Sequence, residues 1–247
     1  MNIVCISRVL NFIRDKSAEY KSKLDAIVPT TVKGTFEAHI TFDCTHNTEK
    51  YIENLKKVCE NTKYKIIFIN LNINRKEDKL QQLMTSSYHC GEYLSIVKQI
   101  EEEAYKHFKD FNIIRIKIES LASNEGVPQT DTEKRILWND ESNYFEFHYK
   151  VLVKNGGKKD KLQELQDICQ RSYRFPLHLS HNAFQQLDEK NFHYMITMRL
   201  FDVGRDNAFI RNDEVVKYLT DSKFPPLKVV REFIVHDSYI ELDHGWN

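Results

Sequence analysis

The chain has 247 residues, enough for one large domain or two small ones around a substantial core. Lys+Arg and Asp+Glu are equal at 36 each. That balance excludes the global basic field behind extended DNA binding, so an anionic ligand has to be held by a local cluster. Five cysteines, Cys5, Cys44, Cys59, Cys90 and Cys169, are odd in number and lack Cys-x-x-Cys spacing, which argues for reduced thiols in a cytoplasmic setting rather than a disulfide framework or a zinc ribbon.

Residues 1–30 read as an N-terminal helical segment, with Ile3, Val4, Ile6, Val9, Leu10 and Ile13 on one face. Arg8 and Arg14 interrupt the apolar run, so a membrane span is not expected. The first strand follows at Thr35–Asp43, where Phe36, Ala38, Ile40 and Phe42 alternate with Glu37, His39 and Thr41. Asn47–Glu60 carries helical spacing, Tyr64–Asn72 is a β-branched strand, and Leu83–Ser87 reads as a short third strand. Glu92–Phe108 is a helix and Asn112–Ser120 a fourth strand bearing Arg115, Lys117 and Glu119.

The same order then repeats. Tyr144–Val153 restates the Phe-Glu-x-His phrase of the first strand with Glu146 and His148, and Lys150 follows on the same face. A helix at Lys161–Arg171, strands at Phe175–Ser180 and His193–Leu200, a helix at Asn212–Asp221 and a strand at Val229–His236 complete the copy. The expected fold is therefore α+β, two tandem ferredoxin-like β-α-β-β-α-β units at 34–120 and 143–247. Residues 121–142 are expected to be a linker or a loop over the cleft. The last part of the second unit is a C-terminal tail, with Trp246 expected to fill a pocket.

In such units both helices cover one face of the sheet, and the polar faces of the two sheets are expected to meet across a groove. His39 and His148 would face each other there as acid and base, with Glu37, Glu119 and Glu146 as supporting carboxylates. Lys117, Lys150 and Arg199 would neutralise an anion, while Thr85, Thr197 and Asn182 would bind the substrate. The imidazoles and carboxylates also suit a first-row metal ion. The lysines and the arginine of the groove weigh against one, so no metal or other cofactor is expected. No nucleophile elbow, dinucleotide fingerprint or His-Glu-x-x-His motif is present.

Two resemblances extend this reading. His39-Ile40-Thr41 and His178-Leu179-Ser180 resemble the His-x-Thr/Ser motifs of the 2H phosphoesterases, a superfamily of duplicated lobes. That resemblance implies a metal-independent hydrolase in which His39 and His148 or His178 move protons and Thr41 and Ser180 hold phosphoryl oxygens. A small nucleotide or RNA end would be the ligand, and a non-catalytic nucleotide- or anion-binding module is the alternative. The order Phe36-Glu-Ala-His39, Arg115-Ile-Lys-Ile-Glu119, Phe145-Glu-x-His-x-Lys150, His178-Leu-Ser-x-Asn-Ala183, Thr197-x-Arg199 and Leu242-Asp-x-Gly-Trp246 also looks like a family of uncharacterised soluble proteins. It implies that these polar positions belong together.

Overall fold

The computed structural model describes residues 31–43, 48–71, 81–154, 159–172, 174–182 and 191–243. The expected N-terminal helix and Trp246 lie outside the described residues. In chain order the elements are β1 (Lys33–Phe42), α1 (Thr48–Cys59), β2 (Lys65–Asn70), β3 (Gln81–Glu92), α2 (Tyr93–Phe108) and β4 (Ile113–Leu121). After α3 (Asp131–Leu137) come β5 (Tyr144–Lys154), α4 (Lys159–Arg171), β6 (Leu177–Asn182), β7 (Asn191–Leu200), α5 (Arg205–Asp221) and β8 (Lys228–Asp237). A short 3₁₀ turn, Ile240–Leu242, follows. Among the described residues no helix is long and apolar enough to cross a membrane.

The expectation of two tandem ferredoxin-like sheets is corrected by the strand pairing. All eight strands form one closed antiparallel barrel in the order β1-β3-β2-β6-β7-β5-β8-β4. The two joins between halves are β4 with β8, through five residue pairs, and β2 with β6, through Ile69↔Asn182 and Asn70↔His181. Each half-sheet taken alone would leave two edge strands with unpaired backbone groups; joining them edge to edge leaves none. The halves are thus walls of one lumen, and their polar faces do not pack as two layers across a groove.

Alternation in β1 and β5 explains which side faces out. Phe36, Ala38, Ile40 and Phe42 of β1, and Phe145, Phe147, Tyr149, Val151 and Val153 of β5, are all buried on the outer face of the barrel. There α2, α4 and α5 cover them with Ile96, Ile100, Leu165, Ile168, Val215 and Leu219. A second apolar cluster joins Ile40, Phe42 and Leu83 to Leu55 of α1 and to Phe108. With the hydrophobic core outside the sheet, the period-two pattern sends Glu37, His39, Glu146 and His148 into the lumen.

Two local expectations also change. β3 runs over twelve residues rather than five, because its partners β1 and β2 hold it along Gln81–Glu92 although its sequence lacks alternation. The 121–142 stretch contains α3, opened by a Thr130 and Glu133 capping box. It is tied to the second half where the Gly204 backbone N–H donates to Asp131 at 2.8 Å. A side chain at Gly204 would strike the Thr130 backbone, so the close approach of the two segments requires glycine there.

Candidate functional site

The lumen encloses a cavity of about 560 Å³. Strand register delivers its polar residues in matched sets. Across β1 and β4, Glu37 lies opposite Glu119 and His39 opposite Lys117. Across β5 and β8, Glu146 lies opposite Glu232 and His148 opposite Val230. Each half therefore contributes two glutamates and one histidine; Lys117 joins them from the first half, and Lys150 and Lys228 line the cavity from the second.

These groups converge. His39 Nε2 is 3.2 Å from Glu119 Oε2 and 3.8 Å from Glu37 Oε1. His148 Nε2 is 3.4 Å from Glu232 Oε2 and 3.5 Å from Glu146 Oε1. Lys117 bridges the halves, with Nζ donating to Glu146 at 2.6 Å and lying 2.8 Å from Glu119 Oε1. Among the described residues two groups could hold a metal ion: Glu37, His39 and Glu119, and Glu119, His148 and Glu232, the ligand atoms of each group lying within 4.8 Å of one another. Glu119 belongs to both.

Burial and mutual charge set the protonation of the cluster. Burial opposes a charged imidazole at His39, yet the Glu119 carboxylate beside it, by charge and by hydrogen bond, lifts its pKa above the usual histidine value. His148 moves the other way, because burial outweighs the pull of Glu146 and Glu119. Glu119 and Glu146 stay below the carboxylate range in spite of burial, held by Lys117 and His39 in one case and by Arg199 and Lys117 in the other. Glu232 is pushed well above that range by burial and by Glu119, and its Oε2 is buried without a hydrogen-bond donor.

A separate ionic network closes off part of the lumen. Arg115 forms a two-pronged pair with Asp237 at 2.8 and 2.5 Å, and Tyr144 donates to the same carboxylate at 2.7 Å. Asp243, from the C-terminal segment, accepts from Arg115 at 2.9 Å, Arg199 at 2.5 Å and Gln82 at 2.6 Å. Those donors sit on β4, β7 and β3, so one carboxylate ties together strands that are not neighbours. Elsewhere the wall carries Ile67, Ile69, Leu71, Met84 and Met195, together with the polar Lys150, His193, Lys228 and Arg231.

Of the residues singled out in the sequence, Glu37, His39, Thr41, Lys117, Glu119, Glu146, His148, Lys150, Ser180, Asn182, Thr197 and Arg199 line the cavity. Thr85 does not: it pairs with Ile40 on the outward face of β3, whose inward positions are Gln82, Met84 and Tyr88. His178 also stands outside the lining, and burial together with Arg199 brings its pKa down to about 4. Thr197 is a neighbour of His148, its hydroxyl 3.0 Å from Nδ1. Glu232, Asp237 and Asp243 had no place in the sequence-based site. The signal for Glu232 was the duplication itself, since it stands to Glu146 as Glu119 stands to Glu37.

The expected phosphoesterase, and with it the nucleotide- or anion-binding module, is corrected by this charge arrangement. Arg115 is paired with Asp237 and Asp243, Arg199 with Asp243 and Glu146, and Lys117 with Glu119 and Glu146. A phosphate at this cluster would have to displace those carboxylates to reach Arg115, Lys117 or Arg199.

No family model and no curated protein matches the chain. Among solved structures, a monooxygenase candidate from Fusobacterium nucleatum subsp. nucleatum is 11% identical with a TM-score of 0.30, over 83% of this chain and 94% of that one. An anthrone oxidase-like protein is 13% identical with a TM-score of 0.26, over 84% and 92%. The chlorite dismutase of Candidatus Nitrospira defluvii is 12% identical with a TM-score of 0.26, over 82% and 91%. None of these three is a phosphoesterase, and at such scores the likeness assigns no activity to this chain.

Proposed function

We propose that the barrel is a metal-dependent enzyme that binds a divalent first-row ion among its luminal glutamates and histidines and acts on a small, largely apolar molecule. The observation that carries this reading is the pair of Glu/His clusters sharing Glu119. Two donors about 2.1 Å from one ion lie roughly 3.0–3.4 Å apart in octahedral or tetrahedral coordination. The His39–Glu119 and His148–Glu232 separations of 3.2 and 3.4 Å match that spacing. Mixed carboxylate and imidazole donors suit manganese, iron or zinc.

Of the three cations that weighed against a metal in the sequence, Lys117 and Arg199 are met here by carboxylates, and Lys150 pairs in register with Lys228 farther along β5. A bound ion would supply Lewis acidity to a ligand in the adjoining space. The chain's own contribution is a proton store and an enclosure. Burial and Glu119 favour the protonated form of Glu232, so that an entering cation would displace a proton there, Thr197 orients His148, and the apolar Ile67, Ile69 and Met84 support exclusion of water from the substrate.

Thermal unfolding of chelator-treated protein with and without added Mn(II), Fe(II) or Zn(II) tests the reading. At a hundredfold excess over Kd the ion stabilises by about 2.7 kcal/mol, or roughly 5–10 °C in Tm. A Tm unmoved by every first-row ion, with no metal in protein purified from metal-supplemented cells, would defeat it.

A further inference from the structure

We propose that the barrel holds two ions rather than one, with Glu119 as the bridging carboxylate, Glu37 and His39 completing one site, and Glu146, His148 and Glu232 completing the other. This rests on the metal-binding reading above and goes beyond it in number, ligand sets and the role of Lys117. The first support is the duplication, which places a Glu-x-His strand and a facing glutamate on each side of the lumen. Four glutamates and two histidines arranged around a pseudo-two-fold centre are the donor set that dinuclear carboxylate sites use in unrelated helical bundles.

The second support is how Glu119 is shared. Its Oε2 faces His39 at 3.2 Å and its Oε1 faces Lys117 at 2.8 Å, while a donor atom of the same carboxylate also lies within 4.8 Å of those of His148 and Glu232. One carboxylate thus reaches both halves. The third is Glu232, a nine-tenths buried side chain on the second half-site whose Oε2 has no hydrogen-bond donor and lies 3.4 Å from His148 Nε2. A buried carboxylate oxygen without a donor is costly unless a cation or a proton meets it.

Lys117 then acquires a defined part. Its ammonium lies between Glu119 Oε1 and Glu146 Oε2, one carboxylate from each half, where it supplies positive charge between the two sites. Entry of the second ion releases it, so Lys117 competes with that ion and makes the second binding step weaker than the first.

Titration of the chelator-treated full-length chain with Mn(II), followed by calorimetry and by electron paramagnetic resonance, tests the proposal. Two ions per chain with an exchange-coupled spectrum are expected. Glu37→Gln and Glu232→Gln should each reduce the count to one and leave an uncoupled signal. Lys117→Met should strengthen the second step about tenfold or more. One ion per chain with an isolated-ion spectrum would overturn the dinuclear site while leaving the metal-binding reading in place. No bound ion would overturn both. Should Lys117→Met fail to fold, the counts in the two glutamate variants still decide the matter.

Discussion

His148 and Thr197 show how one hydroxyl prepares a ligand. If Nδ1–H donates to the Thr197 oxygen 3.0 Å away, Nε2 is left with its lone pair directed at Glu146 and Glu232. Thr197→Val keeps the shape and removes the partner. We expect metal affinity to fall about 10–100-fold, the usual effect of losing such a support. Stability in the presence of chelator should be nearly unchanged; isothermal titration and thermal unfolding of the same sample would separate the two. His39 lacks this support, since its Nδ1 is buried without a partner and Ser86 occupies the register position opposite it. The two half-sites are therefore related by duplication without being equivalent.

Among the strands, the two joins between halves differ in length, and so in resistance to opening. β4 and β8 pair through five residues with a register shift beside Glu119, whereas β2 and β6 pair through two. Local opening follows the number of protected backbone bonds. Amide hydrogens of Ile69, Asn70, His181 and Asn182 should therefore exchange well before those of Glu119 and Ser120. Hydrogen exchange read by mass spectrometry would check this, and equal protection at both joins would contradict it. The β2–β6 join also borders the cavity, at Ile69 and Asn182.

At the scale of the whole molecule, the C-terminal segment holds the barrel together through buried charge. Asp237 and Asp243 both have pKa values held below the usual aspartate range, against the cost of burial, by the Arg115 guanidinium and, for Asp243, by Arg199 as well. A carboxylate depressed in the folded state stabilises at pH above its unfolded pKa of about 3.9 and loses that contribution as pH falls through the folded value. Stability should thus decline as pH drops below about 4, and urea midpoints measured across that range would show it. Asp243→Ala leaves Arg199 with Glu146 at 3.4 Å as its remaining carboxylate. A cost of about 3–5 kcal/mol is expected for breaking a buried pair from one side, and an unchanged midpoint would show that the segment is not anchored by this residue.

The sequence by itself determined the alternation in β1 and β5, the repeated Glu-x-His and the order of strands and helices, because period-two and period-3.6 patterns are local properties of the chain. It therefore identified twelve of the residues that line the cavity, among them His39, His148 and three of the four glutamates. Where alternation was absent, as in Gln81–Glu92, it failed: Thr85 was assigned inward although neighbouring strands turn that residue outward. His178, which a three-residue motif drew in, stands opposite Thr197 of β7 without being among the residues that line the cavity. Tertiary structure alone decided the closure, since β2–β6 and β4–β8 are pairings between chain segments far apart that no local pattern encodes. Closure also decided the chemistry. It set Glu232 beside His148 and paired Arg115 and Arg199 with Asp237 and Asp243, so that the cations expected to hold an anion are already met by carboxylates.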